Sequence, residues 1–157
     1  GNKFDQAIQE YVRRKYNIAI GERTAEDVKI QIGSAMFLEE PMEMEIKGRD
    51  MVTGLPRNFV VTSDDVTEAI QHELEGLVQA IKDVLYKTPP ELSADVMDKG
   101  MVFSGGSSLL RNLDELVSQA TGVPAYVAED ALLCVAKGTG VALENLEAYK
   151  RSILAAR

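Results

Sequence analysis

The stretch Met101-Val102-Phe103-Ser104-Gly105-Gly106-Ser107-Ser108-Leu109-Leu110 constrains the fold of this chain more than any other. A short apolar run closed by small residues, two glycines and two hydroxyls ahead of a helical pattern reads as strand, tight turn and helix start. The helix is expected over Leu109 to Ala120, carrying Leu109, Leu110, Leu113, Leu116 and Val117 and closed by Thr121-Gly122. Pro124 to Ala128 then reads as a further strand. Strand, helix, strand in this order predicts an α/β arrangement with parallel strands. The turn itself has two readings. Glycines without Cβ atoms, beside the free N–H groups of a helix start, allow close backbone approach to an anionic ligand. Equally, Gly105 and Gly106 serve a positive φ and Ser107 an N-cap in a plain connection, and a lone Gly-Gly-Ser favours this second reading.

Composition limits the alternatives. At 157 residues the chain accommodates one domain or two small lobes with a real core. A net charge of −8 argues against a general nucleic-acid or anionic-membrane surface, because both require a basic patch. The cluster Arg13-Arg14-Lys15 reads as a solvated helix end that complements the dipole. One Cys and one His exclude the usual zinc sites, and Cys134, in an apolar setting, suits a reducing compartment. His72 reads as a surface residue. No apolar run reaches the ~20 residues of a membrane span, and no signal peptide opens the chain.

Taken in order, Phe4, Ala7, Ile8, Tyr11 and Val12 predict an amphipathic helix over Lys3 to Tyr16. Thr24 is expected to cap a second helix with Val28, Ile32 and Ala35 on its buried stripe. That helix carries Glu26 and Lys29 three apart and so nearly on one face. From spacing alone an intrahelical ion pair is the ordinary reading, and a pair of ligand-facing groups is the alternative. Met42, Met44 and Ile46 alternate with Glu43, Glu45 and Lys47, the pattern of a half-buried strand. A turn over Arg49 to Pro56 returns the chain along Arg57 to Thr62 as an antiparallel partner. Ser63-Asp64-Asp65 should cap a long helix with Val66, Ile70, Leu74, Leu77, Val78, Ile81, Val84 and Leu85 on one stripe, which Gly76 could bend or divide. Pro89-Pro90 stops it, and Glu91 to Asp98 forms a short helix. An apolar helical segment over Ala131 to Ala136, an interruption at Lys137 to Gly140, and a last helix from Val141 to about Ile153 complete the reading.

The order of these motifs carries a resemblance. Gly1-Asn2-Lys3-Phe4-Asp5, Tyr11-Val12-Arg13-Arg14, Thr24 to Lys29, Ile32-Gly33-Ser34-Ala35, Gly54-Leu55-Pro56-Arg57, Pro89-Pro90-Glu91-Leu92, Met101 to Gly106, Leu110 to Asp114 and Val127 to Asp130 together resemble the C-terminal half of the MreB family, the bacterial actin-like rod-shape proteins. The resemblance covers essentially the whole chain. It implies the second half of an actin/Hsp70-like (ribonuclease H-like) nucleotide-binding α/β fold in two small lobes. Residues 1–72 would be subdomain IIB-like and 73–157 a partial subdomain IIA. Glu26 and Lys29 would contact ribose and adenine of ATP or ADP, and Gly105, Gly106 and Ser107 would form the adenosine-side turn. The family commonly has three successive glycines there, whereas here Ser107 follows Gly105-Gly106.

The resemblance further implies an ATP-dependent cytoskeletal filament that maintains rod shape and organises wall synthesis at the inner face of the bacterial membrane. Other MreB subunits and the membrane protein RodZ, docking on IIA, are the implied partners. The family's two phosphate loops, its Mg²⁺ and water-positioning groups, and its membrane-binding segment are expected to precede the position of Gly1. The chain alone is therefore expected not to hydrolyse ATP, and its sheet should expose an edge and an apolar face. A nucleotide-independent interaction module keeping only polymer or RodZ surfaces is the competing expectation. An Hsp70-like or sugar-kinase relative fits the quoted motifs less well.

Overall fold

The computed structural model describes residues 1–146 and 149–150. Helix α1 spans Asn2–Tyr16 and ends where Asn17 takes a left-handed conformation. It buries Phe4, Ile8, Tyr11 and Val12 of the expected stripe, with Ala7 half-buried. The next helix, α2, spans Glu22–Ile32 and begins after Gly21. Thr24 therefore lies inside the first turn and is not its cap. Between the helices sits β1, Ile18–Ala19, which pairs with Asp50 and Arg49 of β2, Glu43–Asp50. Strand β3, Pro56–Thr62, pairs antiparallel with β2 over seven positions, from Glu43 opposite Thr62 to Arg49 opposite Pro56. The expected hairpin is present, with a tighter turn than the Arg49 to Pro56 loop. Gly48 is needed where β1 crosses: a Cβ there would stand 2.3 Å from Ile18 Cγ2 and 2.8 Å from the Ala19 carbonyl oxygen.

Helix α3 runs without a break over Ser63–Lys87, so Gly76 does not divide it, and it passes straight through positions 72 and 73. Its N-cap is Thr62, one residue before the expected Ser63-Asp64-Asp65 triplet, of which Asp65 completes a capping box. Thr62 Oγ1 accepts from the Asp65 amide at 3.2 Å, while the Thr62 amide donates to Asp65 Oδ2 at 2.9 Å. Only the first part of its stripe is fully covered: Val66, Ile70 and Leu74 are buried, whereas Leu77 and Val84 are exposed. The short helix α4, Pro90–Lys99, buries no residue.

Strand β4, Met101–Phe103, pairs in parallel with β5, Ala125–Val127, as the strand, helix, strand order predicts. Between them the expected helix over Leu109 to Ala120 is broken in two. A 3₁₀ turn covers Gly106–Leu109, and α5 begins only at Leu113, ending at Thr121. The break has a local cause in Asn112, which adopts φ 58° and starts α5 afresh. After a second 3₁₀ turn, Ala131–Leu133, helix α6 spans Cys134–Glu144. It continues through Lys137 to Gly140, where an interruption was expected. The end of the expected last helix, toward Ile153, extends beyond the described residues.

One core joins the two sheets. Ile8, Val12, Ile18, Val28, Ile32, Ile46, Val61, Val66 and Ile70 pack with Leu110, Leu113, Val117 and Ala125. Each fully buried large aliphatic side chain contributes about 1.5–3 kcal/mol of transfer free energy. Polar contacts cross the same seam. The Ala35 amide donates to the Arg111 carbonyl at 2.8 Å, and Thr67 Oγ1 donates to the Ser34 carbonyl at 3.0 Å.

A buried carboxylate clamps α1 to α3. Asp65 accepts from Lys15 Nζ at 2.6 Å and from Tyr16 Oη at 2.6 Å, besides the Thr62 amide. Tyr11 Oη donates to Glu68 and accepts from Lys15. Burial pushes the Asp65 carboxyl up, but the bonds from Lys15, Tyr16 and Thr62 outweigh it and hold it below the usual carboxylate range. Tyr16 is pushed up to about 12 by burial and by its bond to Asp65. Lys15 is thus a clamp residue as well as part of the basic helix end.

Candidate functional site

Three segments far apart in sequence converge on one cavity of about 440 Å³. The start of α1 supplies Asn2 and Phe4, α2 supplies Glu26, Lys29 and Ile30, and the glycine turn supplies Gly106, Ser107, Leu109 and Leu110. Leu132 adds an apolar wall. Four of the five residues singled out from the sequence, Glu26, Lys29, Gly106 and Ser107, therefore line the same space. Gly105 does not line it. Its role in the turn is conformational: it adopts φ 87°, and its amide donates to the Ala131 carbonyl at 2.8 Å.

The turn keeps its backbone close to the cavity because it is tight. The Ser108 amide and hydroxyl both donate to the Gly105 carbonyl, at 3.2 and 2.7 Å. Ser108, not Ser107, thus closes the turn. Gly106 leaves room for its neighbour, since a Cβ there would meet Leu132 Cδ2 at 3.2 Å. Across the cavity, a Cβ placed at Gly1 would stand 3.4 Å from Ser107 Oγ and 3.9 Å from Lys29 Nζ. Both polar groups therefore lie within 4 Å of one point.

The charges are arranged differently from the intrahelical pair that the Glu26 and Lys29 spacing suggested. Lys29 Nζ lies 2.7 Å from Asp5 Oδ1, with side-chain exposures of 14% and 5%. Among the described residues Asp5 Oδ1 has no hydrogen-bond partner, so the ammonium is its partner by charge. Glu26 is exposed, and neither its carboxylate nor the Ser107 hydroxyl has a hydrogen-bond or ion-pair partner among the described residues. The cavity thus offers a free carboxylate, a free hydroxyl and a fixed ammonium, set between apolar walls from Phe4, Ile30, Leu109 and Leu132. This combination suits a flat apolar ring carrying hydroxyls and ring nitrogens. Among the described residues no group of three or more His, Cys, Asp or Glu side chains is placed to hold a metal ion.

Asp5 and the apolar walls were not singled out from sequence. Ile30 carried a signal, being apolar yet off the Val28 and Ile32 stripe, and it is 64% exposed at the cavity rim. A larger groove of about 670 Å³ shares no lining residue with this cavity among the described residues; Phe37, Leu74, Val78 and Leu116 give it a mainly apolar wall. No helix among the described residues is long and apolar enough to cross a membrane.

Comparison with known proteins gives this geometry a family. The family model described as MreB/Mbl protein matches residues 1–151. The cell shape-determining protein Mbl of Bacillus cereus is 47% identical over 154 residues, which cover 98% of this chain and 46% of that protein. The cell shape-determining protein MreB of Escherichia coli is 48% identical over 149 residues, 95% of this chain and 43% of that protein. The chain spans less than half the length of these curated relatives. Among solved structures, MreB5 of Spiroplasma citri bound to ADP superposes with a TM-score of 0.88 at 37% identity, over 92% of this chain and 44% of that one. The same protein bound to AMPPNP gives 0.88 at 36% identity, over 99% and 46%. The MamK double helical filament, at 21% identity and a TM-score of 0.68 over 83% and 40%, shares the fold. The α/β arrangement described above is part of an actin-like fold, and the chain belongs to the MreB/Mbl family.

Proposed function

We propose that this chain forms the adenosine side of the nucleotide cleft in an ATP-dependent, actin-like cytoskeletal protein that maintains bacterial rod shape and organises cell-wall synthesis. The observation that carries the proposal is the convergence of Glu26, Lys29, Gly106 and Ser107 on one cavity from two separate elements. Glu26 accepts from ribose hydroxyls, Lys29 donates toward the ribose or base, and the Gly105-Gly106-Ser107 turn lets the backbone approach the ring. The ADP and AMPPNP complexes of MreB5 support the reading through their shared fold. The phosphates and Mg²⁺ fall to parts of the relatives' length that this chain does not span. We divide the chain into a IIB-like unit, residues 1–72, and a partial IIA-like unit, 73–157, with α3 shared between them. Partners are other MreB-family subunits and RodZ on the IIA-like unit, and the protein works at the inner face of the membrane.

A second reading is favoured by a specific observation. Val102 and Tyr126, paired across β4 and β5, are both large and exposed. Such a face suits an interaction module that contributes polymer or RodZ contacts without nucleotide. Calorimetric titration with ADP separates the two. Saturable binding that Glu26→Ala weakens supports the cleft, and no heat at millimolar nucleotide leaves the module.

A further inference from the structure

The pairing of Lys29 with Asp5 bears on what the cavity selects. A lysine side chain on an exposed helix face is flexible and carries a full charge that favours phosphate. Here the ammonium is held 2.7 Å from a nearly buried carboxylate contributed by α1, which stands behind Lys29 and does not line the cavity. Two consequences follow from this placement. The ammonium is restricted in position before a ligand arrives, which lowers the ordering cost of binding. Its charge is also largely neutralised, so the remaining N–H donors address a neutral acceptor better than an anion. Glu26 lines the same cavity and further disfavours phosphate there.

We infer that Asp5 is a positioning and specificity residue: it orients Lys29 and tunes the cavity toward the neutral nucleoside over its phosphates. This inference rests on the nucleotide reading of the site. Removing the Asp5 charge releases an uncompensated ammonium, which loses its orientation toward a neutral acceptor and gains attraction for anions. A purely structural Asp5 would instead weaken adenosine and ADP alike.

The test is calorimetric titration of the 157-residue chain with adenosine and with ADP at low salt, for wild type, Asp5→Asn, Lys29→Gln and the double variant. Asp5→Asn is expected to weaken adenosine about tenfold and to raise the ADP-to-adenosine affinity ratio several-fold, an increase that added salt removes. The double variant should bind adenosine as weakly as Lys29→Gln alone, because Asp5 acts only through Lys29. Unchanged adenosine affinity in Asp5→Asn, an unchanged ratio, or losses that add in the double variant would each overturn the inference. Should Asp5→Asn not fold, the comparison of the double variant with Lys29→Gln decides alone, since neither charge of the pair remains in the double variant: equal affinities support the role and a further loss refutes it. Wild type that binds neither ligand refutes the nucleotide reading itself. In that case the ammonium NMR signal of Lys29, compared with Asp5→Asn, still reports whether the carboxylate orders it.

Discussion

Lys29 Nζ lies 2.7 Å from Asp5 Oδ1 on another helix, although Glu26 stands one turn away on its own. The long-range partner holds the ammonium, and Glu26 is left to face the cavity. Breaking such a pair from one side strands a nearly buried charge, which costs on the order of 3 kcal/mol. Lys29→Gln should therefore lower the urea unfolding free energy by about that much, and Asp5→Asn added to it should restore most of the loss. A Lys29→Gln variant as stable as wild type would show that the pair contributes nothing to the fold.

The Asp65 clamp sets a pH dependence. Its carboxyl is held below the usual range in the folded chain, so its contribution is present above the unfolded carboxylate value of about 3.9 and is lost as pH falls through the folded value. Tyr16, pushed up to about 12, contributes below its unfolded value near 10 and loses that contribution as pH rises through about 12. Between roughly pH 4 and 10 the clamp is fully engaged. Urea midpoints followed from pH 6 to 2 should fall less steeply in Asp65→Asn than in wild type; equal slopes would remove Asp65 from the acid transition.

Gly48 admits the crossing of β1. A methyl group there meets Ile18 Cγ2 at 2.3 Å and the Ala19 carbonyl oxygen at 2.8 Å, and neither can move without disturbing the β1–β2 pairing. Gly48→Ala should cost about 1–3 kcal/mol by thermal or urea unfolding. A neutral effect would mean that β1 is free to shift.

The apolar surface around β4 and β5 should drive association. Val102 is 68% exposed, on a two-stranded parallel sheet of a kind normally covered on both faces. Sedimentation at high concentration should show species larger than a monomer, and Val102→Lys with Tyr126→Lys should shift them toward the monomer. A wild-type chain that stays monodisperse and binds no hydrophobic dye would contradict this.

Much of the fold was legible because its signals are local. The Met44 and Ile46 alternation, the α1 stripe and the stop at Pro89-Pro90 each act within a few residues, and all three stand in the structure. What was not legible depends on distant partners or on single backbone conformations. The two-residue strand β1 exists only through its pairing with Asp50 and Arg49. The break before α5 turns on the left-handed Asn112, and no apolar period records it. Continuation of α6 through Gly138 and Gly140 goes against glycine's weak helix propensity. At the cavity, Glu26, Lys29 and the glycine turn were legible through resemblance, while the partnership of Lys29 with Asp5 joins residues on separate helices and leaves no spacing to read.

Gly106 separates the cavity from a mere turn. A valine there would press on Leu132 and fill space that the glycine leaves open. Gly106→Val should reduce adenosine affinity at least tenfold in calorimetry while changing the unfolding free energy far less than Gly48→Ala. Undiminished binding would place the nucleoside away from this turn.

The most direct test of the central claim is amide NMR of the labelled 157-residue chain titrated with adenosine. Saturable shifts that cluster at Glu26, Lys29, Gly106 and Ser107 are expected, with the groove beside Phe37 unaffected. Shifts confined to the Phe37 groove, or none at millimolar adenosine, would contradict it.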